Sequence, residues 1–312
     1  MLYLAALNYL LMKLNKFLLL YLFIAAFAIS CDKDDDGGEV VPPRDRGEQE
    51  IADQAALEEY LDTHFYNYEE FENPPSDFDY RIQIDTINEA NADKIPLSAS
   101  PLLMPKTFTY QDVEYTLYVL KVREGAPEQP QPKFSDSTYV SYEGELLNRA
   151  TFDSSESPLW FDLTRTIAGF GQGLTEFSGA SGFEVLSDNT VQWNDDYGIG
   201  AIFIPSGLGY FSSFQEGIPT YSPLVFTFHL YAVNEADHDQ DGVPSWREDI
   251  DGNQRLLDDN TDGDNSPNYL DRDDDGDFIP TREEISDEDG NIIFPYPDAD
   301  NDGTPDYLDI NN

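Results

Sequence analysis

The chain has 312 residues, 40% of them apolar, with 20 Phe and 19 Tyr, enough for one or two folded domains. Its formal charge is −45, and residues 237 to 312 alone hold 25 Asp and Glu against 4 Arg, a net of −21. Such a surface repels phosphate backbones and attracts cations, which excludes nucleic acid as a partner on electrostatic grounds.

Residues 1–31 read as a signal peptide. Lys13 and Lys16 supply the positive start, and Phe17 to Phe27 is an apolar run of export-signal length, short for a bilayer span. The only cysteine, Cys31, follows Ala28-Ile29-Ser30 in a run that resembles a bacterial lipobox. The resemblance implies lipidation at Cys31 and attachment to a membrane through it. Asp32-Lys33-Asp34-Asp35-Asp36 is similar to the export tag of surface lipoproteins in the Bacteroidetes, so the expected location is the outer membrane, facing the periplasm or the cell surface. Residues 32–47, rich in Gly, Pro and charge, read as a tether.

Residues 48–112 carry no motif that names a function. Ile51, Ala55, Leu57, Leu61 and Phe65 recur at helical spacing and predict one amphipathic helix over 48–65, while Tyr80 to Ile84 alternates like a strand. Beyond Thr107 the pattern changes to short alternating segments. Strands are expected at Tyr115–Val122, Tyr139–Tyr142, Leu159–Leu163, Gly200–Ile204 and Leu224–Val233, with a weakly helical piece at Phe170–Phe177. The economical arrangement is α+β, an antiparallel sheet wrapped on a short helix, over a domain at 113–235.

Six ordered motifs in that domain resemble the FKBP-type peptidyl-prolyl cis-trans isomerases: VSYEG at 140–144, FDSS at 152–155, PLWFDL at 158–163, IAGFGQGL at 167–174, IPSGLGY at 204–210 and PLVFTFHL at 223–230. The resemblance implies catalysis without a cofactor, on proline-containing polypeptides. It places Tyr142, Phe152, Asp153, Ile167, Phe170, Tyr210, Ile218 and Phe226 at the catalytic pocket, with Leu159 and Thr166 beside them. Tyr210 would donate to the substrate carbonyl, Asp153 would stand at the rim, and Phe152, Phe170 and Phe226 would form walls and floor. This sequence departs from the family at Phe170, where tryptophan is usual, at Leu159, where an aromatic wall is common, and at Phe211, where glycine is usual. An insertion between Gly173 and Ala201 is expected to enlarge a loop or hairpin. The alternative to an enzyme is a non-catalytic adhesion or scaffold lipoprotein that uses the same fold for binding.

Residues 236–312 carry repeats suited to Ca2+. Asp237, Asp239 and Asp241 with Gly242 and Glu248 match positions 1, 3, 5, 6 and 12 of an EF-hand loop, in which alternating acidic residues converge on one hard cation. Asp298, Asp300 and Asp302 with Gly303 and Asp309 form a second copy. Between them lie Asn260, Asp262, Asp264 and Asp271, then Asp271, Asp273 and Asp275 with Gly276, a set that has Arg282 at position 12. Flanking helices of EF-hand length are not expected, and YLD recurs after Pro267 and Pro305, so the array resembles thrombospondin type 3 repeats. The other reading is a solvated acidic tail, unfolded without metal.

Overall fold

The computed structural model describes residues 42–311; the signal peptide, Cys31 and the first part of the tether lie outside the described residues. Helix α1 spans Arg46–Thr63, two residues earlier at each end than its apolar spacing predicts. The Asp45 side chain caps it by accepting the Glu48 N–H at 2.9 Å, satisfying one otherwise unpaired first-turn donor. Its buried face is Gln49, Glu50, Asp53, Leu57, Tyr60 and Leu61. Ile51, expected on the apolar face, is 74% exposed, and Phe65 falls in strand β1 (His64–Tyr66). Half of this face is polar, which is why apolar spacing misplaced it.

After β1 come the short helix α2 (Tyr68–Glu72) and strand β2 (Ile84–Thr86), which pairs antiparallel with β1. The strand expected from Tyr80 begins only at Ile84, because Tyr80 takes a left-handed φ of 58° and its carbonyl accepts from His229 Nε2 at 2.9 Å.

Strands β3 (Leu103–Tyr110), β4 (Val113–Arg123), β5 (Ser137–Leu146), β6 (Thr151–Asp162), β9 (Gly198–Ile204) and β10 (Leu224–Asn234) form one antiparallel sheet in the order β3-β4-β9-β10-β5-β6. Every residue of β9 is buried, so this strand reads as a continuous apolar run rather than an alternation. Ile202 and Ile204 face the core under helix α3 (Ala168–Leu174), while Ile199, Ala201 and Phe203 face Leu57, Tyr60 and Leu61 of α1. The sheet is therefore covered on both faces. Helix α3, expected to reach Phe177, ends at Leu174. It lies close on β9 because residue 173 is glycine: a Cβ there would stand 2.4 Å from Ile202 Cδ1.

The insertion is a hairpin of β7 (Phe183–Val185) and β8 (Val191–Trp193). Trp193 packs at a tilt against Tyr139 and Tyr231, with centroids 5.9 and 5.6 Å apart.

The acidic segment repeats one local design. A turn of 3-10 or α-helix starts after Pro244, Pro267, Pro280 and Pro305, at Ser245–Arg247, Asn268–Leu270, α4 (Thr281–Glu284) and Asp306–Leu308. The first residue of each turn donates its N–H to a carbonyl just upstream of the acidic loop: Ser245 to Ala236, Asn268 to Asp259, Thr281 to Arg272 and Asp306 to Pro297. The same residue's side chain accepts an N–H of the loop's second residue, at His238, Thr261, Asp274 and Ala299. A small core of Val243, Ile285 and Tyr307 holds the segment together.

Candidate functional site

Four elements converge on an aromatic cluster. Tyr142 comes from β5, Phe152, Asp153 and Phe161 from β6, Phe170 from α3 and Phe226 from β10. Ring centroids lie 5.0 Å apart for Phe170–Phe226, 5.5 Å for Phe152–Phe226, 5.4 Å for Tyr142–Phe161 and 6.0 Å for Phe161–Phe170. The contacts are tilted or edge-on, the arrangement that ring quadrupoles favour. Register explains the meeting: Gly144 pairs with Phe226 on one side and Asp153 on the other. A Cβ at 144 would lie 2.6 Å from the Phe152 ring and 2.9 Å from the Phe226 ring, so the glycine of the VSYEG motif makes room for the cluster.

The polar groups stand at its edge. The Tyr142 hydroxyl donates to Asp153 Oδ2 at 2.6 Å. Burial, then this bond to a carboxylate, pushes the Tyr142 phenol above its ordinary pKa. Burial chiefly, with the Asp153 charge second, raises Tyr210 as well, so both phenols keep their protons at neutral pH. Ile167 stands just before α3 and Tyr210 lies on the loop after β9, both partly buried against the core to which Ile218 belongs.

Seven of the eight sequence-predicted residues share this core region, Asp153 stands exposed at its edge, and Phe161 joins them. Its signal in the sequence is the two-residue period from Leu159 within the PLWFDL motif. Leu159 lies at the margin, 48% exposed. Thr166 donates its hydroxyl to the Leu163 carbonyl at 3.0 Å and lines a separate cavity. Phe211 has φ of +50°, a conformation costly for a bulky side chain and natural for the usual glycine. It is held edge-on to Tyr221 at 5.1 Å, with the Arg46 guanidinium 4.1 Å above its ring. The end of the expected tether thus packs on the loop that carries Tyr210.

In the acidic segment, side-chain oxygens of Asp237, Asp239 and Asp241 lie within 4.8 Å of one another, as do those of Asp241, Glu248 and Asp274. Glu248 is 1% exposed, and neither of its carboxylate oxygens has a hydrogen-bond partner. Burial, then Asp239 and Asp274, pushes its pKa up to about 10. An unpaired buried carboxylate is costly, and such a cage could hold a hard cation. Asp274, from a different loop, was missed because it lies outside the alternating pattern. Side-chain oxygens of Asp262, Asp264 and Asp271 lie within 4.8 Å of one another, and Asn260 Oδ1 accepts the Gly263 N–H at 2.7 Å.

One expected frame is wrong. Asp273, Asp275 and Asp277 group together, with Phe278 at position 6 and Glu284 at position 12, so the loop starts at Asp273 and not Asp271. Phe278 takes φ of 76° and donates its N–H to Asp273 Oδ2 at 3.1 Å. Gly242 and Gly303 do the same to Asp237 and Asp298 at 3.2 and 3.1 Å. A phenylalanine in the glycine position hid the frame, and Arg282 is not at position 12. In the last copy Asp300 Oδ1 also accepts, from the Asp302 N–H at 3.0 Å, and Asp309 stands at position 12 with its Oδ1 accepting the Asn311 N–H at 3.0 Å. Among the described residues no helix is long and apolar enough to cross a membrane.

The family model described as BamM C-terminal matches residues 238–296, a different family from the thrombospondin type 3 repeats that the spacing suggested. No curated protein sequence matches the chain. Among solved structures, 44% of the chain is similar to 85% of a peptidyl-prolyl cis-trans isomerase from Pseudomonas syringae pv. tomato, at 22% identity and a TM-score of 0.33. Forty-one per cent is similar to FkpA from Escherichia coli at 28% identity and a TM-score of 0.31, spanning 51% of that chain. The N-terminal domain of FKBP42 from Arabidopsis thaliana is similar over 38% of this chain and 87% of its own, at 12% identity and a TM-score of 0.30.

Proposed function

We propose that the chain is an FKBP-type peptidyl-prolyl cis-trans isomerase that assists the folding of exported proteins, anchored to the outer membrane through lipidated Cys31 and carrying a Ca2+-binding C-terminal array. The observation that carries the enzymatic reading is the ring cluster of Tyr142, Phe152, Phe161, Phe170 and Phe226 with the Tyr142–Asp153 hydrogen bond at its rim. Rotation about an amide has a barrier of roughly 18–20 kcal/mol because the planar form is resonance-stabilised. Catalysis needs no nucleophile, only preference for the twisted amide. That species has lost charge separation on its carbonyl, so a water-poor aromatic wall favours it over the planar ground state. Tyr210 keeps its proton and donates to the substrate carbonyl, and Asp153 orients Tyr142 at the pocket mouth.

The calcium reading of the array is supported by both Glu248 oxygens and Asp274 Oδ1, which are buried without hydrogen-bond partners, while Asp274 Oδ2 accepts from the Thr281 hydroxyl at 2.9 Å. A second reading, a calcium-stiffened adhesion or scaffold lipoprotein with the fold as a binding platform, draws on exposed Leu159 and bulky Phe211. The two are separated by the exchange rate of a short Xaa-Pro peptide measured with the purified protein in calcium. The enzyme accelerates exchange, and Tyr210→Phe lowers kcat/KM about fivefold, the worth of one hydrogen bond of ~1 kcal/mol. Binding of the peptide without acceleration overturns the enzymatic reading and leaves the scaffold.

A further inference from the structure

The second loop of the acidic segment breaks the repeat. It has Leu256 and not proline at position 8, and Asn260 at position 12 belongs to the next loop, so the spacing rule passes over it. Its side chains nevertheless converge: oxygens of Asp249, Asp251 and Asp259 lie within 4.8 Å of one another. Asp259 is 6% exposed. One of its oxygens accepts the Ile250 N–H at 3.0 Å and the Asp251 N–H at 3.3 Å, and the other is buried without a partner. Asn253 Oδ1 is likewise buried and unpaired. Three carboxylates and an amide oxygen at positions 1, 3, 5 and 11 are an all-oxygen donor set, the kind a hard cation of calcium's size takes. The nearby Arg255 turns instead to Asp258, at 3.5 Å.

We infer that Asp249, Asp251, Asn253 and Asp259 form a further divalent-cation site, and that Gln254 ties its occupancy to α3 beneath the aromatic cluster. The inference rests on the calcium reading of the array and extends it to a loop outside the repeat. The Gln254 N–H donates to both Asp249 oxygens at 3.1 Å. Its side-chain Oε1 accepts from Gln172 Nε2 at 2.6 Å. Gln172 is 7% exposed and lies on α3 two residues beyond Phe170. The Gln172 carbonyl also accepts from Lys106 Nζ at 2.9 Å. A cation that fixes Asp249 therefore fixes the Gln254 turn, and through it the helix that carries the cluster's floor. The two sides otherwise meet across a cavity of about 380 Å³ lined by Phe108, Thr166, Gln172, Gln254 and Leu257.

The test is calorimetric titration of the calcium-free full chain with calcium, combined with hydrogen exchange of the α3 amides. Asp251→Asn with Asp259→Asn is expected to bind one ion fewer and to lose about tenfold protection at Phe170–Leu174, equivalent to ~1.4 kcal/mol. Asp300→Asn with Asp302→Asn, in the last loop, keeps that protection. Gln254→Ala, which leaves the donor side chains in place, is expected to keep full stoichiometry and lose the protection. Unchanged stoichiometry in the Asp251/Asp259 variant, while the wild type binds, overturns this site alone. No calcium bound by the wild type overturns it together with the calcium reading. Loss of one ion with α3 protection intact overturns the coupling.

Discussion

Replacing Asp53 by alanine probes the join between α1 and the loop that carries Tyr210. Asp53 is 2% exposed. It accepts the Ser206 N–H at 2.7 Å, the Ser206 hydroxyl at 2.6 Å and the Gln49 amide at 2.7 Å. Ser206 is itself fully buried and opens the turn Ser206–Leu208, two residues before Tyr210. In Asp53→Ala three buried donors lose a charged acceptor. Each stranded donor costs about 1–3 kcal/mol, and with partial rearrangement of the hydroxyl and the glutamine the expected loss is about 3–5 kcal/mol. For a folded body of this size, at about 2.1 cal/mol/K of unfolding entropy per residue, Tm falls by roughly 5–9 °C. Asp53→Asn keeps one oxygen for the Ser206 N–H and should lose roughly half as much. Thermal unfolding in saturating calcium measures both, and the peptide-exchange assay should show a raised KM in Asp53→Ala. A fall in Tm below about 1 °C for Asp53→Ala would refute the argument, because no buried donor would then have been stranded.

Two further outcomes are expected. Burial raises the Glu50 carboxyl to about 7. The folded state then holds this proton more tightly than the unfolded state, so its contribution to stability is complete below about pH 4.5 and is lost as pH rises through 7, up to about 3 kcal/mol. Chemical denaturation across that range in calcium should show the slope, and Glu50→Gln should reduce it; equal slopes in both would sink the assignment. Gly173→Ala places a methyl against Ile202 and should destabilise by about 1–3 kcal/mol through overpacking, read as a lower denaturant midpoint with an unchanged m-value.

Much of the sheet was legible because its signals are local. Alternation in β4, β5 and β10 marks which side chains share a face, and the ordered motifs group Tyr142, Phe152, Phe226 and their neighbours from sequence alone. The acidic loops were legible for the same reason: carboxylates two apart and a proline at position 8 are short-range rules. Legibility failed where one residue type broke a rule. Phe278 in a glycine position shifted a frame by two residues, and Leu256 in a proline position concealed a whole loop.

By itself, then, the sequence pointed to the α+β class, to parts of five of the six strands in the main sheet, to most of the aromatic cluster and to the carboxylates of three loops, because each depends on periods of two to twelve residues. Only the tertiary structure decided that residues 46–63 cover the second face of the sheet, that Asp53 meets Ser206, that Asp274 completes the cage around Glu248 and that Gln254 meets Gln172. These contacts join residues 26 to 153 positions apart. Their polar side chains carry no periodic signal, and only folding brings a partner within hydrogen-bond range.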